Sequence, residues 1–316
     1  MQTQKVKLSI VIPNWNGEKF LSKCLDSLLH QSENNIEIIV VDNGSGDQSE
    51  TIIKKYKQVK LIKLKENCGF SIAVNVGIKA ANSELIGLIN NDTEVDENWV
   101  SEMYVAAKNH PEAGFFASKM IDYYHREIIA AAGDAMNWWG RAYNIGKYEK
   151  NNENFDSEKY VFGACAGASV YRKALFEKIG LFDEDFFMYL EDVDISLRAQ
   201  YAGFKCLFVP GAIIYHMGSA SAGKKSGFVF KYINKNRWHV MYKNFPLSRI
   251  IIYSPLILLS ELRFLAAAIV KGYFTEYIWA VKTCISEHGK MIEKRKKILR
   301  ERKVSFRYMD KLMGFF

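Results

Sequence analysis

The first hundred residues switch hydrophobic period repeatedly, and few architectures accommodate that pattern. Short β-branched runs at Leu8–Ile12 (LSIVI), Ile36–Val41 (IEIIVV), Val59–Leu64 (VKLIKL) and Leu85–Ile89 (LIGLI) read as strands. Segments with helical spacing separate them: Glu18–Leu29, Gln48–Tyr56 and Phe70–Ala81. In the first of these, Phe20, Leu21, Cys24, Leu25 and Leu28 share one face. Strand and helix alternating at this spacing imply βαβ crossovers and a mostly parallel sheet covered on both sides. Ligands of such sheets bind beyond the carboxyl ends of the strands, at the topological switch point.

Three of the four strands end in polar residues: PNWN at 13–16, DNGS at 42–45 and NNDTE at 90–94. One polar strand end is a turn, since Asn and Asp favour turns; several in succession look like a binding edge. From about Ala113 to Tyr171 the pattern becomes irregular, aromatic and glycine-rich, which predicts mixed strands and loops over the sheet edge. An acidic helical stretch, FDEDFFMYLEDVDISLRAQYAGF, follows, with Gly203 as its stop. A strand (KCLFVP) and a Gly/Ser-rich loop containing Lys224 and Lys225 come next.

The chain's 316 residues suffice for one large domain, or for a domain of about 200–250 residues with an appendage. The character changes near Arg237, giving an expected division into a catalytic domain at 1–245 and a helical, basic extension at 246–316. A hydrophobic content of 49% supports a packed core and excludes wholesale disorder. The formal charge of +8 favours anionic partners. The five cysteines are scattered with no CxxC pair, which disfavours a zinc site or disulfide framework and suits a reducing compartment. The N-terminus lacks a signal-peptide pattern, so the main domain is expected in the cytoplasm.

Residues 250–270 (IIIYSPLILLSELRFLAAAIV) are long enough to raise a membrane-spanning question, but Glu261, Arg263 and Pro255 argue against a span. Residues 282–303 are dominated by Lys and Arg beside apolar positions, which suggests a helix lying on an anionic membrane surface. A solvated face on a helical appendage, packed on the domain or a second subunit, is the alternative. Nucleic acid is not expected, because no recognised binding module accompanies the patch.

Individual residues sharpen the chemistry. Asp42, at a strand end, can accept a hydrogen bond from the imide N–H of uracil or thymine; an Asx-turn followed by a cap at Asp47 is the local alternative. A dinucleotide loop is not completed, since Ser49 stands where GxGxxG needs its third glycine. Asp92 is the carboxylate of the Asn90-Asn91-Asp92 run, and a divalent cation needs only one or two protein carboxylates when phosphates supply the rest. Glu94 falls on the same side of an extended backbone, as helper or surface residue. His216 ends a strand and can complete a manganese-type site. Lys224 and Lys225 could close over phosphates or simply be solvated. Of the acids at the helix start, Asp194 has Arg198 four residues on, an ordinary ion pair. Asp192 has no such partner, which makes it the better general base, with Glu191 next.

The stretches SIVIPNWNGEKFLSKCLDSL, IEIIVVDNGSGDQS, ENCGFSIAVNVGIKAA, GLINNDTEVDENW and GLFDEDFFMYLEDVDISLRAQYAGFKCLFVPGAIIYHMGSAS resemble, in order and over roughly residues 7–245, the family 2 glycosyltransferases. They look most like the rhamnosyltransferase-type branch that builds bacterial polysaccharides. The resemblance implies an α/β GT-A fold, a nucleotide-diphosphate sugar donor, a divalent cation (Mn2+ or Mg2+) and inversion at the anomeric carbon. It places donor contacts on Pro13, Asn14, Asn16, Asp42, Asn67, Gly69, Asn75 and Asn91. Metal ligands fall on Asp92, Asn90 and His216, and the catalytic base on Asp192 beside Glu191. The sequence departs from the wider family at Asn90, where many members carry aspartate, and a neutral amide ligand attracts an ion less. By overall likeness the donor is dTDP-rhamnose, with a UDP-sugar next, and the acceptor a hydroxyl of a glycan or a lipid-linked molecule. The expected setting is the inner face of the cell membrane, with a homodimer as one form. A sugar nucleotidyltransferase and a non-catalytic carbohydrate-binding scaffold are the competing readings. The first should carry a Gly-rich, Arg/Lys-bearing loop after strand one, which PNWNGEKF does not provide.

Overall fold

Each of the four β-branched runs forms a strand in the computed structural model, which describes residues 6–218 and 227–314. In chain order the first half reads β1 (Leu8–Asn14), α1 (Leu21–Leu29), β2 (Ile36–Asn43), α2 (Ser49–Ile53), β3 (Val59–Leu64), α3 (Phe70–Ala80) and β4 (Leu85–Ile89). All ladders among these four strands are parallel, in the order β4-β1-β2-β3. The chain therefore winds outward from β1 in both directions, and the crevice beyond the ends of β1 and β4 is the switch point. Helix α1 buries Leu21, Cys24, Leu25 and Leu28 against this sheet, each leucine contributing about 1.5–3 kcal/mol.

The second half completes the sheet and adds a separate β8–β9 hairpin: β5 (Thr93–Val95), α4 (Trp99–Asn109), β6 (Ala113–Asp122), β7 (Ile129–Ala131), β8 (Asp134–Met136), β9 (Ala142–Asn144), β10 (Lys159–Val161), β11 (Ala168–Arg172), α5 (Lys173–Ile179), α6 (Glu191–Tyr201) and β12 (Lys205–His216). Here β11 runs antiparallel between β4 and β6, and β12 lies parallel to β6, so the irregular region does supply mixed strands. Two apolar cores cover the two faces of the sheet.

The acidic stretch is less helical than its composition suggests. A 3-10 turn at Glu184–Phe186 comes first, then Phe187, Tyr189 and Leu190 adopt positive φ, and α6 begins only at Glu191. The break has a tertiary cause. Asn236, fully buried, donates from Nδ2 to the carbonyls of Phe186 (2.9 Å), Met188 (2.8 Å) and Tyr189 (2.7 Å), a grip incompatible with helix.

After β12 come α7 (Gly227–Asn244), α8 (Leu247–Ile252), α9 (Ser254–Lys271), α10 (Phe274–Arg300) and α11 (Phe306–Leu312). The apolar 250–270 run is divided between α8 and α9, with Pro255 in the first turn of α9, where its missing N–H costs nothing. No described helix is long and apolar enough to cross a membrane. A third core joins α6 to these helices through Phe186, Leu197, Tyr201, Val240, Phe245 and Met309. Part of the basic run in α10 is used internally: Lys290 pairs with Asp185, and Lys294 with Asp183 and Asp185.

Candidate active site

The polar strand ends meet in a hydrogen-bonded edge. Asn14, buried at the end of β1, lies opposite Asp42 in the parallel register and donates to its Oδ1 (3.0 Å), while its own Oδ1 accepts from Asn91 Nδ2 (2.7 Å). Gly17 makes this close approach possible, because a Cβ there would stand 2.2 Å from both amide groups. Ser45 closes the DNGS turn by donating Oγ to Asp42 (2.6 Å) and N–H to its other oxygen (3.3 Å). Asn16 ties the two loops together, donating N–H to Ser45 Oγ and accepting from the Gly46 N–H.

A cavity of about 380 Å³ opens over this edge. Of the residues anticipated from sequence, Pro13, Asn14, Asn67, Gly69, Asn90, Asn91, Asp92 and His216 line it. Asp42 and Asn16 do not: Asp42 lies one hydrogen bond behind Asn14, and Asn16 is exposed and bonded to Ser45 and Gly46. Asn75 does not either, because its amide is spent on the backbone of Phe182 and on Glu184. Lys224 and Lys225 lie outside the described residues. The cavity also takes Trp15, Asn43, Tyr189 and Phe228, to which no role was assigned from sequence. Asn43 was visible within DNGS; its side chain bonds Asn67 Oδ1, the Gly69 carbonyl and the Cys68 N–H, fixing the far wall. Gly69 has φ +88°, and a Cβ there would strike Phe187 at 2.5 Å, so this wall needs glycine.

Asp92 and His216 come together through sheet pairing. β5 pairs antiparallel with β12, placing His216 opposite Thr93, and the Met217 N–H donates to the Asp92 carbonyl (2.9 Å). His216 Nε2 and Asp92 Oδ1 are thereby 3.5 Å apart. Two donors at about 2.1 Å from one ion would be separated by a similar distance. Carboxylate, imidazole and the amide of Asn90 make an oxygen- and nitrogen-rich set of the kind that Mn2+ or Mg2+ accepts. Glu94 faces elsewhere, paired with Lys23 and Arg126.

The acids of α6 have divergent environments. Burial pushes the Asp192 carboxyl up, while N–H groups of Val193 (2.8 Å) and Ala166 (3.4 Å) hold its charged form. Burial, then the neighbouring Asp192, push Glu191 well above the ordinary carboxylate range. Asp134, buried and hydrogen-bonded by Asn144 (2.7 Å), is pushed up for the same two reasons. Asp194 behaves oppositely: burial raises it, but Lys243 and Arg198 outweigh burial and bring it below its usual value. The Asp194–Arg198 helix pair expected from spacing forms, but buried and with further partners. Asp194 is a buried hub taking Arg198 (2.9 Å), Lys243 (2.8 Å) and Asn244 (2.9 Å), and it anchors the helix carrying Asp192.

Asp134, Cys165 and Asp192 present ligand atoms within 4.8 Å of one another. Burial pushes the Cys165 thiol well up, and a protonated thiol is a poor ligand for a hard ion. The three fit a buried cluster of two carboxyls and a thiol better than a Mn2+ or Mg2+ site.

The model of Glycosyl transferase family 2 matches residues 9–180. "Glycosyltransferase GlyA" of Streptococcus pneumoniae is 28% identical over 55% of the chain and 25% of its own length. The "N-acetylglucosaminyl-diphospho-decaprenol L-rhamnosyltransferase" of Mycobacterium tuberculosis is 26% identical over 69% of the chain and 78% of its own length. Among solved structures, GalNAc-T7 with UDP, GalNAc and Mn2+ superposes with a TM-score of 0.66 at 16% identity, over 90% of this chain and 58% of that one. The mannosyltransferase PcManGT of Pyrobaculum calidifontis, with GDP-Man and Mn2+, gives 0.56 at 13%, over 93% and 85%. These likenesses show the GT-A fold. Because the family model spans more than half of the chain, the protein belongs to glycosyl transferase family 2.

Proposed function

We propose that the protein is an inverting, metal-dependent hexosyltransferase acting on a nucleotide-diphosphate sugar, dTDP-rhamnose first and a UDP-sugar next. The acceptor in this reading is a hydroxyl of a glycan or lipid-linked molecule in cell-surface polysaccharide synthesis, and the enzyme sits peripherally on the inner membrane face. The printed activity of the mycobacterial relative supports the rhamnosyl donor and a lipid-linked acceptor. The observation that carries the mechanism is the meeting of Asp92 and His216 on the wall of the cavity, with Asp192 in the first turn of α6, three residues after the cavity-lining Tyr189.

In this reading Pro13, Asn14, Asn67 and Gly69 hold the nucleotide, with Asp42 behind Asn14 for the base. Asp92, His216 and the Asn90 amide would hold Mn2+ or Mg2+, which supplies neutralisation of the leaving diphosphate's charge. Asp192 takes the proton from the acceptor hydroxyl while that oxygen attacks the anomeric carbon from the face opposite the diphosphate. The bond from anomeric carbon to β-phosphate oxygen breaks, and the nucleoside diphosphate leaves with the electron pair. Residues 1–245 act as the catalytic unit, and 246–316 as the extension that supports α6 and the acceptor side.

A thermal-shift panel of nucleotide sugars with and without Mn2+ or Mg2+ tests the donor. One sugar nucleotide should give the largest metal-dependent shift, and a panel with no shift for any member would sink the reading.

A further inference from the structure

Beside the donor cavity lies a second groove of about 530 Å³, between the β8–β9 turn, α7 and α9. Its walls are apolar (Trp139, Phe230, Leu256, Phe264), and among the described residues no Asp or Glu lines it. Four cations do. Arg237 is already neutralised, since Glu261 takes its guanidinium together with Trp238 and Tyr277. Arg141, Arg263 and Lys271 are exposed and form no ion pair among the described residues. A groove with three unneutralised cations on aromatic and aliphatic walls suits a ligand with an anionic head and an apolar chain.

The groove also reaches the chemistry. Leu190 lines it, whereas Phe187, Met188 and Tyr189 line the donor cavity. The positive-φ segment held by Asn236 is thus the partition between the two, and Glu191 and Asp192 follow directly from it.

The outer face of the adjoining helices says where such a ligand comes from. On α9, Leu258, Leu262, Ile269 and Val270 are 61%, 54%, 61% and 85% exposed, and Leu247, Ile251 and Ile252 of α8 extend the patch. The spacing of Leu258, Leu262 and Ile269, four and then seven residues, puts these three on one face of α9. Glu261 is the only acid between positions 247 and 275, and it is tied to Arg237. An apolar stripe on a helix that also exposes Arg263 and Lys271, and whose one acid is already paired, matches an anionic bilayer surface. This shifts the membrane contact from the basic 282–303 run, whose Lys290 and Lys294 are engaged internally, to α8 and α9.

We propose that this groove binds the phosphate or diphosphate head of a long-chain lipid carrying the acceptor, while the α8–α9 stripe lies on the membrane that holds the lipid's tail. The proposal rests on the lipid-linked form of the acceptor in the preceding reading.

The test uses the full chain. Isothermal titration compares farnesyl diphosphate with inorganic diphosphate, and flotation uses phosphatidylglycerol–phosphatidylcholine vesicles. The wild type should bind farnesyl diphosphate about tenfold tighter than inorganic diphosphate, and Arg141→Ala/Arg263→Ala/Lys271→Ala should weaken it about tenfold or more. Leu258→Ser/Leu262→Ser/Val270→Ser, all at exposed positions, should abolish flotation. Equal affinity for the two diphosphates would mean a free-phosphate site and overturn the proposal, as would unchanged binding by the cation variant. A serine variant that still floats, or that turns a dimer into a monomer with flotation intact, would overturn the membrane face. The nucleotide-sugar thermal shift is read on the same samples. It should persist in both variants, whereas failure of the transferase reading would remove it from the wild type.

Discussion

The two cavities on either side of residues 187–190 solve the same electrostatic problem in opposite ways. The candidate donor cavity is walled by the amides of Asn14, Asn43, Asn67, Asn90 and Asn91, with Asp92, His216 and Tyr189 as its titratable groups and no Lys or Arg among its described lining residues. The groove on the far side carries Arg141, Arg263 and Lys271 and no acid. In the proposed reading a diphosphate in the first needs a cation brought with it, while a phosphate in the second meets cations built into the chain.

The sharpest way to break this contrast is at the base. Asp192→Asn should lower turnover by about 10²–10⁴-fold with an unchanged thermal midpoint; wild-type turnover in that variant would remove Asp192 from the mechanism. Next in size, Asp92→Ala or chelator treatment should lower donor turnover about a hundredfold or more. The groove variant should leave metal dependence untouched, and if it shifts the metal titration the two sites are not separate. A third effect falls on the partition itself. Asn236→Ala strands three carbonyls beside three left-handed residues and should cost about 2–3 kcal/mol in denaturant unfolding. It should also raise KM for donor and acceptor together.

The smallest effects concern pH. Burial raises Asp192, so the acid limb of kcat/KM should lie above the ordinary aspartate value of about 3.9. Stability has two opposing components. Asp194 and Asp183 sit below their usual values because Lys243, with Arg198 or Lys294, outweighs burial. Their contribution is present above the unfolded carboxylate pKa and is lost as pH falls through the folded one. Asp134 and Glu191 are raised, so their contribution is present at low pH and is lost as pH rises above the unfolded value. Asp194→Asn should flatten the acid side of the stability profile; an unchanged acid side in urea titrations would show that the hub is not responsible.

Much of the donor edge was legible because it is local. A β-branched run ending in Asn or Asp announces both the strand and its polar terminus, and parallel winding then brings those termini to one crevice. Asn14, Asn91 and Asp92 follow from that logic. Asn75 did not yield to it, and Asp194 only in its pair with Arg198: Phe182 for the first and Lys243 for the second lie more than 40 positions away. Asp134, Cys165 and Asn236 carried no local signal, since nothing around them in sequence distinguishes them from ordinary polar or small core residues.

The sequence by itself determined the alternation of strand and helix, the polar ends of β1, β2 and β4, and the basic, apolar character of the last seventy residues. These are short-range patterns, set by side-chain period and turn chemistry. Only the tertiary structure decided that His216 stands 3.5 Å from Asp92, that Asn236 breaks the acidic stretch before Asp192, and that α9 exposes Leu258 and Leu262 while its Arg263 and Lys271 join Arg141 in a groove. Each of those depends on which distant elements pair and pack. That choice is made by burial summed over the whole sheet and its helices, and no window of neighbouring residues contains it.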